Sequence, residues 1–168
     1  MSTASTPLEA FETHIGTPTW DDLVVGYDFG FLTSLEIQIT APGDGPAVQR
    51  LRALEGSALK HFEAHLWAAC VEATGKTPRP GAIRWSQAQD RWRDALLQEA
   101  LATETTSAQL ARRVERLYEQ VGCPEDMLIM LKPSQAWSGT PATVDPTAVE
   151  RFLNRSRKNE PKRFGAAS

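Results

Sequence analysis

Long hydrophobic runs are missing from this 168-residue chain. Met127 to Leu131 is a clean run of large apolar residues, only five long. A membrane-spanning helix needs about 20 such residues, so no membrane partner is expected. Cysteine is scarce: only Cys70 and Cys123 occur. That number excludes a disulfide-stapled scaffold, and the pair reads as two free thiols in a reducing cytoplasm. Met1 to Pro7 holds no Lys, no Arg and no apolar stretch, so it lacks the makeup of a secretory leader. The expected compartment is the cytoplasm. Phosphate-binding loops are absent too. Gly26-x-x-x-Gly30 follows no strand and has no Lys-Ser/Thr ending, so it is neither a Walker loop nor a dinucleotide fingerprint. No repeat period and no low-complexity tract is present.

Positive charge is the most uneven deficit. Residues 1–49 hold seven acids (Glu9, Glu12, Asp21, Asp22, Asp28, Glu36, Asp44) and no Lys or Arg, a sum of −7. Residues 50–148 hold twelve acids and twelve bases, a sum of 0. Residues 149–168 hold Arg151, Arg155, Arg157, Lys158, Lys162 and Arg163 against Glu150 and Glu160, a sum of +4. A base-free acidic third can steer a basic partner through its field. The plainer reading is a solvated surface. Six tail bases without interleaved aromatics are a poor nucleic-acid signature, so no nucleic-acid partner is expected.

What the chain does have is an ordinary soluble composition, 41% hydrophobic and 23% charged. Its length buries about two-thirds of the unfolded surface in one core. Helical spacing dominates. The expected architecture is all-α, a single-domain bundle of about seven helices. Its plan is an irregular segment 1–18 with at most a helical turn at Leu8 to Phe11, a helical domain 19–153, and a flexible basic tail 154–168.

Thr19 caps a helix with Asp21 and Asp22 in its first turn, where the dipole favours carboxylates. Trp20, Leu23, Val24, Tyr27 and Phe31 recur at helical spacing, and Gly30 suits the C′ stop. Gly26 inside that helix costs about 1 kcal/mol against Ala, which points to close packing or a kink. Leu35, Ile37 and Ile39 alternate with Glu36, Gln38 and Thr40, the period of a strand. Thr33 or Ser34 followed by Glu36 equally caps a short helix. A lone strand has no partner here, so the expectation leans to helix. Pro42 to Pro46 is a loop. Further helices are expected over Ala47–Glu55, from a Ser57 cap to Thr74, over Arg84–Ala102, from a Ser107 cap to Gly122, after Pro124 through Leu131 with Pro133 as its stop, and from Asp145-Pro146 through Leu153. Loops fill Thr77–Gly81 and Ser138–Pro146. The five tryptophans (20, 67, 85, 92 and 137) read as core anchors, unless one is exposed to a partner.

Candidate chemistry is thin. His61 and His65 stand at i and i+4, and Glu72 falls on the same helix face, a spacing that can chelate a metal. The zincin pattern is not met, because its base follows the first His directly. The face is polar, so the plain reading is solvent. Asp21 and Asp28 share one side of their helix, yet nothing in the sequence marks either as a raised-pKa acid. Cys70 sits on an apolar face as a small core residue. Cys123, before Pro124 at a helix start, is the better reactive thiol. No catalytic residue, no metal site and no cofactor is assigned.

Two segments together carry a resemblance. One is Trp20-Asp21-Asp22-Leu23-x-x-Gly26-x-x-x-Gly30-x-Leu32-Thr33. The other runs from Trp92-Arg93 through Leu96, Leu97, Leu110, Val114, Glu115, Leu117 and Tyr118 to Cys123-Pro124-Glu125-Asp126-Met127. They resemble a small bacterial family of uncharacterised domains with a W-x-x-L-x-x-G-x-x-x-G-x-L opening and a later L-Y-x-x-x-x-x-P-E-D-M segment. The resemblance spans roughly residues 18–135. It implies an all-helical fold and no assigned activity, so no catalytic residue is carried over. It also implies an association with immunity proteins of toxin systems. The chain departs from the family in its Pro/Gly-rich loops at 42–46 and 78–81 and in its basic tail.

The expected function is therefore non-catalytic: a cytoplasmic immunity protein that occludes a cognate bacterial toxin, such as a nuclease with a basic cleft. Asp21, Asp22, Asp28, Glu36 and Asp44 would steer the partner, with Trp20, Tyr27 or Phe31 as anchors. The alternatives are a regulatory or scaffold helical domain and, behind it, a metal-binding protein or hydrolase using His61, His65 and Glu72. Oligomeric state is left open.

Overall fold

A computed structural model describes residues 4–131 and 143–159. Pro133, Trp137, most of the loop expected at Ser138–Pro146 and the final residues of the basic tail lie outside the described residues. Among the described residues the chain is all helical, with eight α-helices, two 3-10 turns and no strand. None of these helices is long and apolar enough to cross a membrane. Two compact units divide the chain, Met1–Leu96 and Leu97–Ser168.

The first unit opens with α1 (Pro7–His14), where sequence reading expects an irregular segment. The helix forms because three local signals coincide. Thr6 and Glu9 make a reciprocal capping box, and Pro7 occupies the first helical position, where its missing N–H costs nothing. Packing then holds it: Ala10 and Phe11 are buried, and the Phe11 ring lies 4.5 Å from that of Trp92.

Next, α2 (Trp20–Asp28) is capped by Thr19 as expected, and Asp22 closes a second capping box. Gly30 ends it at φ +77. Its N–H donates to Tyr27 O, and the Phe31 N–H donates to Gly26 O. That is the paired geometry of a glycine-terminated helix.

Residues 34–40 form α3 (Ser34–Thr40), not a strand. Thr33 and Glu36 supply the capping box. Helical geometry splits the alternating triplet: Ile37 is fully buried, while Leu35 and Ile39, one turn apart, are 63% and 76% exposed. The Gln38 amide donates to Leu51 O and Leu54 O at 3.0 and 2.8 Å, which ties α3 to α4 (Pro46–Ala53).

The helix expected from a Ser57 cap starts later. Gly56–His61 is a 3-10 turn, and α5 (Phe62–Thr74) follows. Gly56 adopts φ +58 and no side chain caps the turn, so an α-helical start is not stabilised there. Phe62, Leu66, Ala69 and Cys70 are buried as the apolar stripe requires, whereas Leu59 is on the exposed side. Finally α6 (Ile83–Thr103) brings Trp85 and Trp92 into the first unit. Phe29 and Phe31 meet these indoles at 6.1 and 5.4 Å. Gly26 is the reason Trp92 fits: a Cβ there would lie 2.5 Å from Trp92 Cζ2 and 2.9 Å from Leu32 Cδ1. Close packing is thus the role of that glycine.

In the second unit, α7 (Ser107–Gln120) is capped by Thr106 with Gln109, one residue before the expected Ser107. It buries Leu110, Ala111, Val114 and Leu117. Gly122 (φ +84) closes it, with the Cys123 N–H donating to Tyr118 O. Glu125–Ile129 is a 3-10 turn rather than an α-helix. The last helix, α8 (Pro146–Asn159), buries Val149, Phe152 and Leu153. It continues through Asn159, so the first residues assigned to a flexible tail are helical. Nothing in 154–158 breaks a helix, and the Arg157 guanidinium donates to Gln98 Oε1 at 2.9 Å.

Candidate interaction surface

The acids expected to form one partner surface divide into two groups. Asp22 is 1% exposed. Its carboxylate accepts from the Thr19 N–H and hydroxyl, both at 2.9 Å, and pairs with Arg91 at 2.7 Å. One residue on, the Trp92 indole N–H donates to Asp22 O at 2.8 Å. Asp21 receives a bidentate grip from Arg84, Nε to Oδ2 at 2.9 Å and Nη2 to Oδ1 at 2.6 Å. The bond raises the Arg84 pKa above its already high value. These two acids hold α2 against α6. Trp20 is 7% exposed and belongs to the core. Asp22 and Trp20 therefore cannot touch a partner, and Asp21 is already satisfied. Sequence reading missed this because Arg84 and Arg91 stand 63 and 69 residues away.

The other acids lie nearer the surface. Glu36 serves the α3 cap. Asp44 is almost fully exposed and pairs with Arg52 at 3.6 Å; Arg52 also donates to Ala41 O. Asp28 is exposed at the last residue of α2, the end where the helix dipole disfavours an anion. Partial desolvation, then the like charge of Glu63, pushes its carboxyl pKa up. Asp28 is thus a carboxylate whose charge the fold opposes. Tyr27 is half-buried, its ring 5.2 Å from that of Phe62. Phe31 is 5% exposed and packs on Trp92.

The metal constellation does not assemble. Glu72 accepts from the Ala47 N–H at 2.9 Å. That bond caps α4, whose N-cap Gly45 offers no side chain. A Cβ at Gly45 would collide with this carboxylate, so the glycine admits the cap. His61 stands at the α5 N-cap position, exposed, and His65 is half-exposed. Among the described residues no three His, Cys, Asp or Glu side chains form a group able to hold a metal.

Both cysteines are free thiols, Cys70 buried and Cys123 exposed. Burial is the main cause that pushes the Cys70 thiol pKa up, which suits a core residue and opposes thiolate chemistry. Cys123 adopts φ +57 after Gly122, a backbone position set by the end of α7.

The residues sequence reading missed are Leu35 and Ile39. Their exposure is the largest paired apolar exposure on any one helix turn of the first unit. The signal was present: a strand-like alternation that is nevertheless helical must leave part of its apolar set outside. No family model, no curated protein and no solved structure matches this chain.

Proposed function

We propose that this chain is a cytoplasmic binding protein of the immunity type, which occludes a basic toxin protein through the exposed face of α3. The observation that carries this reading is the pair Leu35 and Ile39, held outward on a helix whose other side is fixed. Ile37 anchors it in the core, Glu36 caps it, and Gln38 bonds two carbonyls near the end of α4. Rigidly presented side chains lose little entropy on binding, and exposed aliphatic surface is released from water when a partner covers it. Exposed acids on the same unit, Asp28, Glu63 and Asp44, favour a basic partner. The resemblance to the immunity-associated family supports this choice.

The test is affinity purification of the tagged chain from its own host, run beside a Leu35→Asp/Ile39→Asp variant. Both positions are exposed, so the variant keeps its melting temperature. The reading expects one stoichiometric protein, encoded next to this chain and toxic when expressed alone, to accompany the native chain and to be lost from the variant. A toxic partner held equally well by both would move the surface elsewhere. A partnerless chain that dimerises through α3 in light scattering would point to the scaffold role instead.

A further inference from the structure

The exposed face of α8 carries a row of three cations. Arg151, Arg155 and Lys158 follow at i, i+4 and i+7 and are all exposed. They form a straight stripe with charges about 6 and 4.5 Å apart along the axis. The buried residues Val149, Phe152 and Leu153 lie on the far side. The helix's one acid among residues 146–159, Glu150, stands at neither three nor four residues from any of the three, so no intrahelical ion pair forms. Several arginines elsewhere are answered: Arg52 by Asp44, Arg84 by Asp21, Arg91 by Asp22 and Arg113 by Glu104. On α7, exposed Arg112 and Arg116 alternate with exposed Glu115 and Glu119. Arg151, Arg155 and Lys158 make no ion pair among the described residues. Like charges at these spacings repel and weaken the helix.

Against the expectation from sequence that no nucleic acid is a partner, we infer from this arrangement that the α8 stripe binds the phosphate backbone of a nucleic acid. Charge complementarity selects an anion, and the rest of the face selects which kind. Its other exposed residues, Pro146, Thr147, Glu150, Asn154 and Arg157, include no Trp or Tyr to anchor a protein partner. The apolar side of α8 is buried, so the helix cannot insert into a lipid surface. A row of cations without base-reading groups fits sequence-independent backbone contact. At about 0.1 M salt the screening length is about 10 Å, so the net −3 of the whole chain does not cancel a local row of three.

The experiment follows anisotropy of a labelled short DNA duplex titrated with the full chain across a salt series. The native chain binds. The Arg151→Glu/Arg155→Glu/Lys158→Glu variant binds about tenfold more weakly or worse, and its salt slope is shallower by about 2.7, the release expected for three phosphates. Circular dichroism checks its helicity. Arg155→Glu alone gives a slope change of about 0.9, a second reading if the triple variant misfolds, and Arg151→Lys/Arg155→Lys retains binding. Any of these results overturns the inference: no binding by the native chain at low salt, an unchanged slope after reversal, or phosphatidylserine vesicles bound while the duplex is not. Polyglutamate displacing the duplex charge for charge would also overturn it, by assigning the stripe to acidic proteins.

Discussion

The two units treat charge in opposite ways. Met1–Leu96 holds twelve acids against eight bases, and Leu97–Ser168 holds nine against ten. In the acidic unit two carboxylates are turned inward: Asp21 and Asp22 grip Arg84 and Arg91 across helices. In the near-neutral unit, α8 leaves three cations facing water with no answering acid among the described residues. Net charge is therefore a poor guide to where a field emerges. A segment of −7 lends two of its carboxylates to the fold, while a unit close to neutrality displays a cationic stripe.

Removing the inward charges should hurt most. Asp22→Ala leaves Arg91 without its carboxylate and deletes half of the α2 capping box, so thermal unfolding should show a loss of about 3–5 kcal/mol. A loss under 1 kcal/mol would mean that water replaces the acid and that Asp22 is a surface charge after all.

Gly26→Ala comes next. The added methyl meets the Trp92 ring at 2.5 Å, and overpacking of this kind costs about 1–3 kcal/mol. Trp92→Phe should partly rescue Gly26→Ala in a double-mutant cycle, since a smaller ring vacates the site; an additive result would place the strain elsewhere.

Glu72→Ala removes the only side-chain cap seen on α4 and should cost about 1 kcal/mol. Glu72→Gln, which can still accept from the Ala47 N–H, should lose less. If zinc stabilised the native chain but not Glu72→Ala, the capping role would give way to the metal one.

The smallest effect has the opposite sign. Asp28 has a folded pKa above its ordinary value, so its charge destabilises the fold at neutral pH and the penalty fades as pH falls into the carboxylate range. Asp28→Asn should raise the melting temperature slightly at pH 7, with the gain vanishing on acidification. A gain that grew on acidification would reverse the assigned sign.

Local signals made much of the fold legible. Thr19, Gly30, Gly122 and the Asp145-Pro146 start each act within a few residues, and each lies where expected. Gly26 was legible as a packing site, though its partner was not. The capping box of α1 was readable at Thr6 and Glu9 but stood in a segment with few apolar residues, and Phe11 packs on a ring 81 positions away. The acids misled for a related reason. A charge run reports composition, whereas burial depends on which distant arginine the fold brings up. The exposed pair on α3 was hidden by its own ambiguity, because the same alternation describes a strand with one apolar face and a helix with two apolar residues outside.

The most direct test of the inward-charge account is a double-mutant cycle on Asp22 and Arg91, using Asp22→Ala, Arg91→Ala and both together, followed by denaturant unfolding at low and high salt. The cycle removes the capping contribution, which both Asp22 variants lose equally. The account predicts a coupling of about 2 kcal/mol that salt barely changes, as for a desolvated pair. A coupling near zero, or one that salt abolishes, would contradict it and return Asp22 to the surface.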